Sequence, residues 1–431
     1  MDNIINQLNK SDWDFKGHDT QYMTHGIHKY PARMIPQIAR ALILAFSNKN
    51  DLIVDPFVGS GTVLTEAFLN SRDSIGNDLN PLGILLTKVR TTPLGGDKLA
   101  KIFKQIKINV LKNKYIDPDY IDPEIKNSIE ETNLHYWFKD YVLIDLSIIK
   151  KSINELNILK SEKDFFLVCF SATVRDSSNL RSGEYKIYRI PPNKLDLYKP
   201  DVYGKFYEIT EKYISKMSDF YIYCKQNKLR NKVIITKSDA RYLPKEYKKG
   251  STDLIITSPP YGDSQTTVAY GQFSRYSLIW LGYKKKEIYE IDKILLGGRP
   301  SELISEIKSP TLKLKLNEIK ERDKERANDT EWFMVDLYLT LKEMSRILKK
   351  GGIACIVIGN RAVRRIRIPT SKIIEEMVIN MPNDFKMKHL ITIGRNIPTK
   401  NNPISSKFKL ADGSVEWIKT MSTEDIVILQ K

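Results

Sequence analysis

The apolar run Asp51-Leu52-Ile53-Val54 stops at Asp55-Pro56, turns through Phe57-Val58-Gly59-Ser60-Gly61-Thr62 and passes into Val63-Leu64-Thr65-Glu66-Ala67-Phe68-Leu69. A short apolar run bounded by a glycine turn reads as a buried strand, and the periodicity after it reads as a helix. Ser74-Ile75 leads a second short strand into Gly76, Asn77 and Asp78. Asn80-Pro81 then opens another helix, with proline at an early position that tolerates it. Strand, helix, strand, helix in that order commits the chain to a parallel sheet with helices packed on it.

Residues 34–46, ahead of this unit, have helical periodicity. Behind it the alternation pauses. Residues 95–230 are mixed, with amphipathic helices expected over 142–157 and 204–226 and a polar segment, 171–192, between them. Strands resume at 232–236 (KVIIT) and 253–257 (DLIIT), and 284–330 reads as charged, exposed helix. From 332 an amphipathic helix runs to Gly351-Gly352, the residue type that helix ends prefer. A buried strand at 353–359, a helix near 371–380 and strands near 387–394 and 424–429 follow. The expectation is an α/β sheet of about seven strands built from 1–94, 231–283 and 331–431. Residues 95–230 are inserted as a mostly helical domain and 284–330 as a charged helical insertion. A chain of 431 residues is too long for one ordinary core and suits such a division.

The glycine turn limits the ligand. A phosphate-binding P-loop needs lysine before the Ser/Thr, and none is present. A dinucleotide site needs a third glycine, which is missing. The turn also begins with Asp55, which would repel a pyrophosphate but can meet an ammonium group. Asp78 ends the next strand about 20 residues on, the spacing at which a carboxylate reaches ribose hydroxyls. S-adenosylmethionine carries both an ammonium and a ribose.

Thr257-Ser258-Pro259-Pro260-Tyr261 follows the strand at 253–257 directly, at the edge of a parallel sheet where ligands bind. Two prolines remove two backbone donors and stiffen the turn. Ser258 Oγ and the Pro259 carbonyl can accept both protons of an exocyclic amine, and Tyr261 can stack on a base taken out of a duplex. Asp263, two residues on, could take the amine's proton late.

The net charge of +17 favours a polyanionic partner, although an AT-rich genome inflates lysine in the same way. Arg361, Arg364, Arg365 and Arg367 follow the strand at 353–359 and suit phosphate contacts, with a solvated basic loop as the plainer alternative. In the insert, Arg175, Asn179, Arg181 and Lys186 are of types that read bases or phosphates. His135 and Trp137 are expected in the insert's core. Cys169, Cys224 and Cys355 form no CxxC pair, so neither a disulfide framework nor a metal site is expected, and a reducing cytoplasm suits the chain. There is no apolar run of the ~18 residues that spans a membrane, and Met1–Lys10 has no signal-peptide core.

In their order, these motifs resemble the amino-methyltransferases of bacterial and archaeal restriction–modification systems. Asp55–Thr62 resembles that family's cofactor motif, and Ser258–Tyr261 its catalytic motif. The segment 24–33 (THGIHKYPAR) is similar to the one that lines the methionine pocket, which implies cofactor contacts from His28, Tyr30 and Pro31. Asp55, Phe57, Gly59, Gly61 and Thr62 would follow from the turn, Asp78 from the ribose site, and Asp239 from the acid beside the adenine. The segment 262–282 resembles the loop and helix after the catalytic motif.

The resemblance implies a Rossmann-like seven-stranded sheet, S-adenosylmethionine as methyl donor and no metal. Double-stranded DNA is the implied substrate, for which Arg175, Arg181, Arg361, Arg364 and Arg365 are the candidate contacts by residue type and position, and a restriction endonuclease the implied partner. Serine at the first catalytic position is associated mainly with the N4 amine of cytosine. Adenine N6, an RNA amine and a catalytically inactive DNA-binding regulator are the alternatives. The large insert lies before Asp239, a departure from the family's usual order, and the target-recognition role is expected in 95–230, with 284–330 as rival.

Overall fold

The structure, a computed structural model, describes residues 1–183, 186–262, 268–299, 306–397 and 423–431, with the backbone of 405–409 and 415–419. Its strands are β1 (Leu52–Asp55), β2 (Asp73–Asn77), β3 (Val233–Thr236), β4 (Thr252–Thr257), β5 (Leu348–Gly359), β6 (Ala362–Val363), β7 (Ile366–Arg367), β8 (Lys388–Asn396), β9 (Ser405–Lys409), β10 (Val415–Lys419) and β11 (Thr423–Gln430). Seven of them form one sheet in the order β3-β2-β1-β4-β5-β11-β8. The pairs from β3 to β5 are parallel, and β11 runs antiparallel to both β5 and β8. The chain leaves β1 toward β2 on one side and enters β4 on the other, so the direction of winding reverses between β1 and β4. In such sheets the crevice outside the carboxyl ends at that point takes the ligand.

Period-two alternation divides the strands between two cores. Ile53, Leu254, Ile256, Ile353 and Cys355 face the helices Pro36–Phe46 and Thr62–Leu69. Val54, Ile255, Ala354, Ile356 and Ile358 face the helices Lys324–Ile347 and Thr370–Ile379.

The helices of 95–230 have no core of their own. Phe103, Leu146, Phe166, Phe206 and Phe220 share one buried cluster with Leu82 and Leu86 of the helix Pro81–Thr91 and with Tyr276 and Trp280 of the helix Tyr270–Trp280. This region therefore caps the sheet's helices rather than standing apart from them. His135 is exposed and pairs with Asp140 at 2.7 Å, because the short helix Leu134–Trp137 and its C-cap turn Leu134 and Phe138 inward. Trp137 is part-buried against the cluster.

Three boundaries differ from expectation. The helix expected from 332 begins at Lys324, where the Asp323 side chain accepts the Arg326 amide and caps it. The first third of the polar segment 171–192 is helix, because Lys160–Ser177 turns Phe170, Ala172 and Val174 inward. Gly351-Gly352 lies inside β5, at a register shift against β4, and the helix ends earlier, at Ile347. Among the described residues no helix is long and apolar enough to cross a membrane.

Candidate active site

Two glycines shape the first wall. Gly59 and Gly61 have φ of +50° and +85°, a region that costs an L-residue with a side chain roughly 1–2 kcal/mol. A Cβ on Gly61 would meet Thr87 at 2.9 Å, so the turn lies close against the helix Pro81–Thr91. Behind it, the fully buried Arg90 donates to the carbonyls of Ser60, at 2.8 Å, and His28, at 2.9 Å. One guanidinium thus fastens the glycine turn to the segment 24–33.

Each wall ends in an acid, buried at Asp55 and part-buried at Asp78. Asp55 closes β1, and its Oδ1 accepts from Thr257 Oγ1 at 2.7 Å and the Phe57 amide at 3.0 Å. The end of β1 is thereby tied to the residue before Ser258. Burial pushes the Asp55 carboxyl up to about 7, against those two hydrogen bonds, and the Asp78 charge adds to the rise. Asp78 follows β2 and accepts the amides of Gly59 and Asn80, each at 2.8 Å. Burial raises it to about 6, although the amides of Asn80, Gly59 and Leu79 favour the carboxylate. A carboxyl that is hard to ionise in a cleft is primed for a ligand that brings a positive charge.

These acids share one cleft with Tyr30, Pro31, Ala32, Arg33, Met34, Phe57, Val58, Gly59, Ser60, Thr62, Val63, Asn80, Ser258, Pro260, Tyr270 and Leu295. Most of the expected site residues are therefore brought together. Arg33, Asn80, Tyr270 and Leu295 are additions. Arg33 was within sight in the segment 24–33. Asn80 Nδ2 reaches Ser274 Oγ at 2.8 Å and Tyr30 Oη at 3.2 Å, and nothing in sequence signals that bridge.

Five expected residues lie elsewhere. Pro259 is buried and its side chain does not line the cleft. His28 is turned into the helical layer, with Nε2 2.8 Å from Ser171 Oγ, and burial lowers its pKa to about 3. Gly61 supports the turn from behind. Asp239 does not line the cleft. It binds Arg241 Nη2 at 2.6 Å, and Arg241 reaches on to Asp336 at 2.6 Å. Tyr261 packs against the second core cluster, and its hydroxyl donates to Glu424 Oε2 at 2.7 Å. Asp263 lies outside the described residues, as do 264–267 of the segment 262–282.

The arginines divide as well. Arg175 lies 4.0 Å over the Phe273 ring and donates to the Phe273 carbonyl at 3.2 Å, a packing role. Arg181 is exposed on the loop after the helix Lys160–Ser177. Arg361 is buried, with its guanidinium against Gly262, the residue after Tyr261. Arg364 and Arg365 form the tip of the β6–β7 hairpin, both with positive φ, at +47° and +69°. Arg364 pairs with Asp323 at 2.6 Å yet stays about half exposed. Among the described residues no group of His, Cys, Asp and Glu is arranged to hold a metal.

The family model described as DNA methylase matches residues 4–85. The whole chain is similar to the type II methyltransferase M.MvaI of Kocuria varians, with 36% identity over 435 residues that span 96% of this chain and 93% of the relative. The type II methyltransferase M.MjaII of Methanocaldococcus jannaschii matches at 32% over 154 residues, 34% of this chain and 28% of its own. The DNA adenine methyltransferase YhdJ of Escherichia coli matches at 30% over 115 residues, 25% of this chain and 38% of its own.

Proposed function

Since the chain belongs to the DNA amino-methyltransferases of restriction–modification systems, we propose that it methylates the exocyclic N4 amine of cytosine at a specific site in duplex DNA, using S-adenosylmethionine and turning the target base out of the stack. The observation that carries this reading is that Ser258, first residue of the proline turn, lines the same cleft as Asp55 and Asp78.

The cleft fits the methyl donor chemically. Asp55 suits its ammonium, Asp78 its ribose hydroxyls and Arg33 its carboxylate. When bound there, S-adenosylmethionine supplies an electrophilic methyl group. Ser258 Oγ and the Pro259 carbonyl accept the amine's hydrogens and hold the nitrogen in line. Such positioning avoids an entropic barrier that can reach about 7–11 kcal/mol. Tyr261, packed against the second core cluster, holds the turn from behind through its hydroxyl bond to Glu424.

The DNA backbone would run along the catalytic edge past the Arg364-Arg365 hairpin. The loop bearing Arg181 would approach it from the helical layer, where the Ile187 amide donates to Gln272 at 3.3 Å. A cognate endonuclease of the same site specificity is the expected cellular partner. Adenine N6 is the second reading, supported by the short match to an adenine methyltransferase.

The test is methylation of mixed-sequence duplex DNA with S-adenosylmethionine, followed by digestion to nucleosides and mass spectrometry. N4-methylcytosine is expected. N6-methyladenine would keep the mechanism and overturn the base assignment, and the absence of any methylated base in genomic DNA would overturn the activity.

A further inference from the structure

Behind the proline turn lies a buried polar chain that reaches the far side of the sheet. Ser258 Oγ donates to Tyr261 Oη at 3.2 Å, and Tyr261 Oη donates to Glu424 Oε2 at 2.7 Å. The other oxygen of Glu424 takes a hydrogen bond from Arg395 Nη1, and Arg395 Nε donates to the Trp13 carbonyl at 2.8 Å. Glu424 and Arg395 are 8% and 5% exposed, so water does not compete for these bonds.

The topology explains how a residue so far along the chain arrives there. Parallel strands bring only their carboxyl ends to the catalytic edge. β11 runs the other way, so its second residue reaches that edge, where Glu424 stands opposite Gly359 of β5 and Arg395 of β8.

The chain has a fixed direction. A carboxylate carries no hydrogen, so Tyr261 must donate its only one to Glu424. Tyr261 can then only accept from Ser258, which spends its only hydrogen on the phenol. What remains on Ser258 toward the cleft is a lone pair. Resting on the proposed amine methylation, we propose that Glu424 makes Ser258 an obligate acceptor for the target amine and takes up, through Tyr261, the proton that the amine releases.

The step balances. The S–CH3 bond breaks as the N–CH3 bond forms, and the nitrogen, its lone pair now committed, becomes strongly acidic. Its proton passes to Ser258 Oγ, the Ser258 proton to Tyr261 Oη, and the Tyr261 proton to the Glu424 carboxylate, which ends as a neutral acid and returns the proton along the same chain to the open cleft once product has left. Glu424 acts through Tyr261 and is a positioning residue, held in place by Arg395.

The experiment compares Glu424→Gln, Tyr261→Phe and Ser258→Ala, singly and in pairs, by single-turnover methyl transfer. Titration calorimetry with S-adenosylhomocysteine, DNA anisotropy and thermal melting accompany it. Glu424→Gln and Tyr261→Phe should each slow transfer about 10²-fold, the lower end for proton-transfer groups, while cofactor and DNA affinities stay within about twofold of wild type. In a Ser258→Ala background, Glu424→Gln should cost nothing further, because residues that act as a unit are not additive.

A wild-type transfer rate in Glu424→Gln would overturn the relay, as would losses that multiply with Ser258→Ala. Should Glu424→Gln fail to fold, Tyr261→Phe keeps the Glu424–Arg395 pair and decides the same question. If the wild-type protein itself produces no methylated base, it is the parent reading that fails.

Discussion

The Asp78 carboxylate accepts the Gly59 amide at 2.8 Å, so the acid after β2 is held by the turn that follows β1. The two walls of the cleft are joined by this bond and by that from the Val58 amide to the Asn77 carbonyl at 2.9 Å. Asp78→Ala should therefore both remove the proposed ribose partner and loosen the glycine turn. S-adenosylmethionine affinity should fall at least tenfold, or about 1.4 kcal/mol. Titration calorimetry checks this, and an unaltered Kd would remove Asp78 from the site.

Asp55 gives the site a pH dependence. Its carboxyl, raised to about 7, is largely protonated below that pH and cannot balance an ammonium. Affinity for S-adenosylmethionine should rise with pH between about 5.5 and 7.5, approaching tenfold per unit at the acid end. Asp55→Asn should bind weakly and lose the upper part of this rise, keeping only the shallower slope near pH 6 that belongs to Asp78.

Ser258→Ala should lose about 10²-fold or more in turnover and keep its cofactor Kd, because the Ser258 hydroxyl is assigned to the amine rather than to the donor. Turnover equal to wild type would free Ser258 of that role.

The Arg364-Arg365 tip is strained. A two-residue hairpin turn with both φ positive favours Asn-Gly, and an L-residue with a bulky side chain costs about 1–2 kcal/mol there. Arg364→Asn with Arg365→Gly should raise the melting temperature by a few degrees, even after the exposed pair with Asp323 is lost. The same change should flatten the salt dependence of DNA binding by about one in log–log slope per arginine. An unchanged slope would show that the tip touches no phosphate.

The sheet was legible because its evidence is local. Strand, acid, glycine turn and helix occur within Leu52–Leu69, and a proline turn follows β4 at once. What stayed hidden is assembled across the chain. Glu424 is 163 residues from Tyr261, and only the reversal of β11 brings them together. Arg175 has the look of a nucleic-acid contact in sequence, and only the Phe273 ring beneath it says otherwise. How the inserted helices pack onto the sheet's own helices was not legible, because amphipathic helices look alike whether they bury one another or cover a neighbour. His28 was misdirected for a related reason: periodicity does not say which way a residue at φ +60° turns its ring.

The bond between Asp55 and Thr257 joins residues 202 positions apart. On a ribosome adding about 5–20 residues per second, β1 would wait on the order of 10–40 s for β4 to emerge beside it. Through that interval the central strand has one open flank in a crowded cell. The helical layer between them in sequence is made during the wait, which makes the detour from β2 to β3 a matter of birth order as well as of architecture.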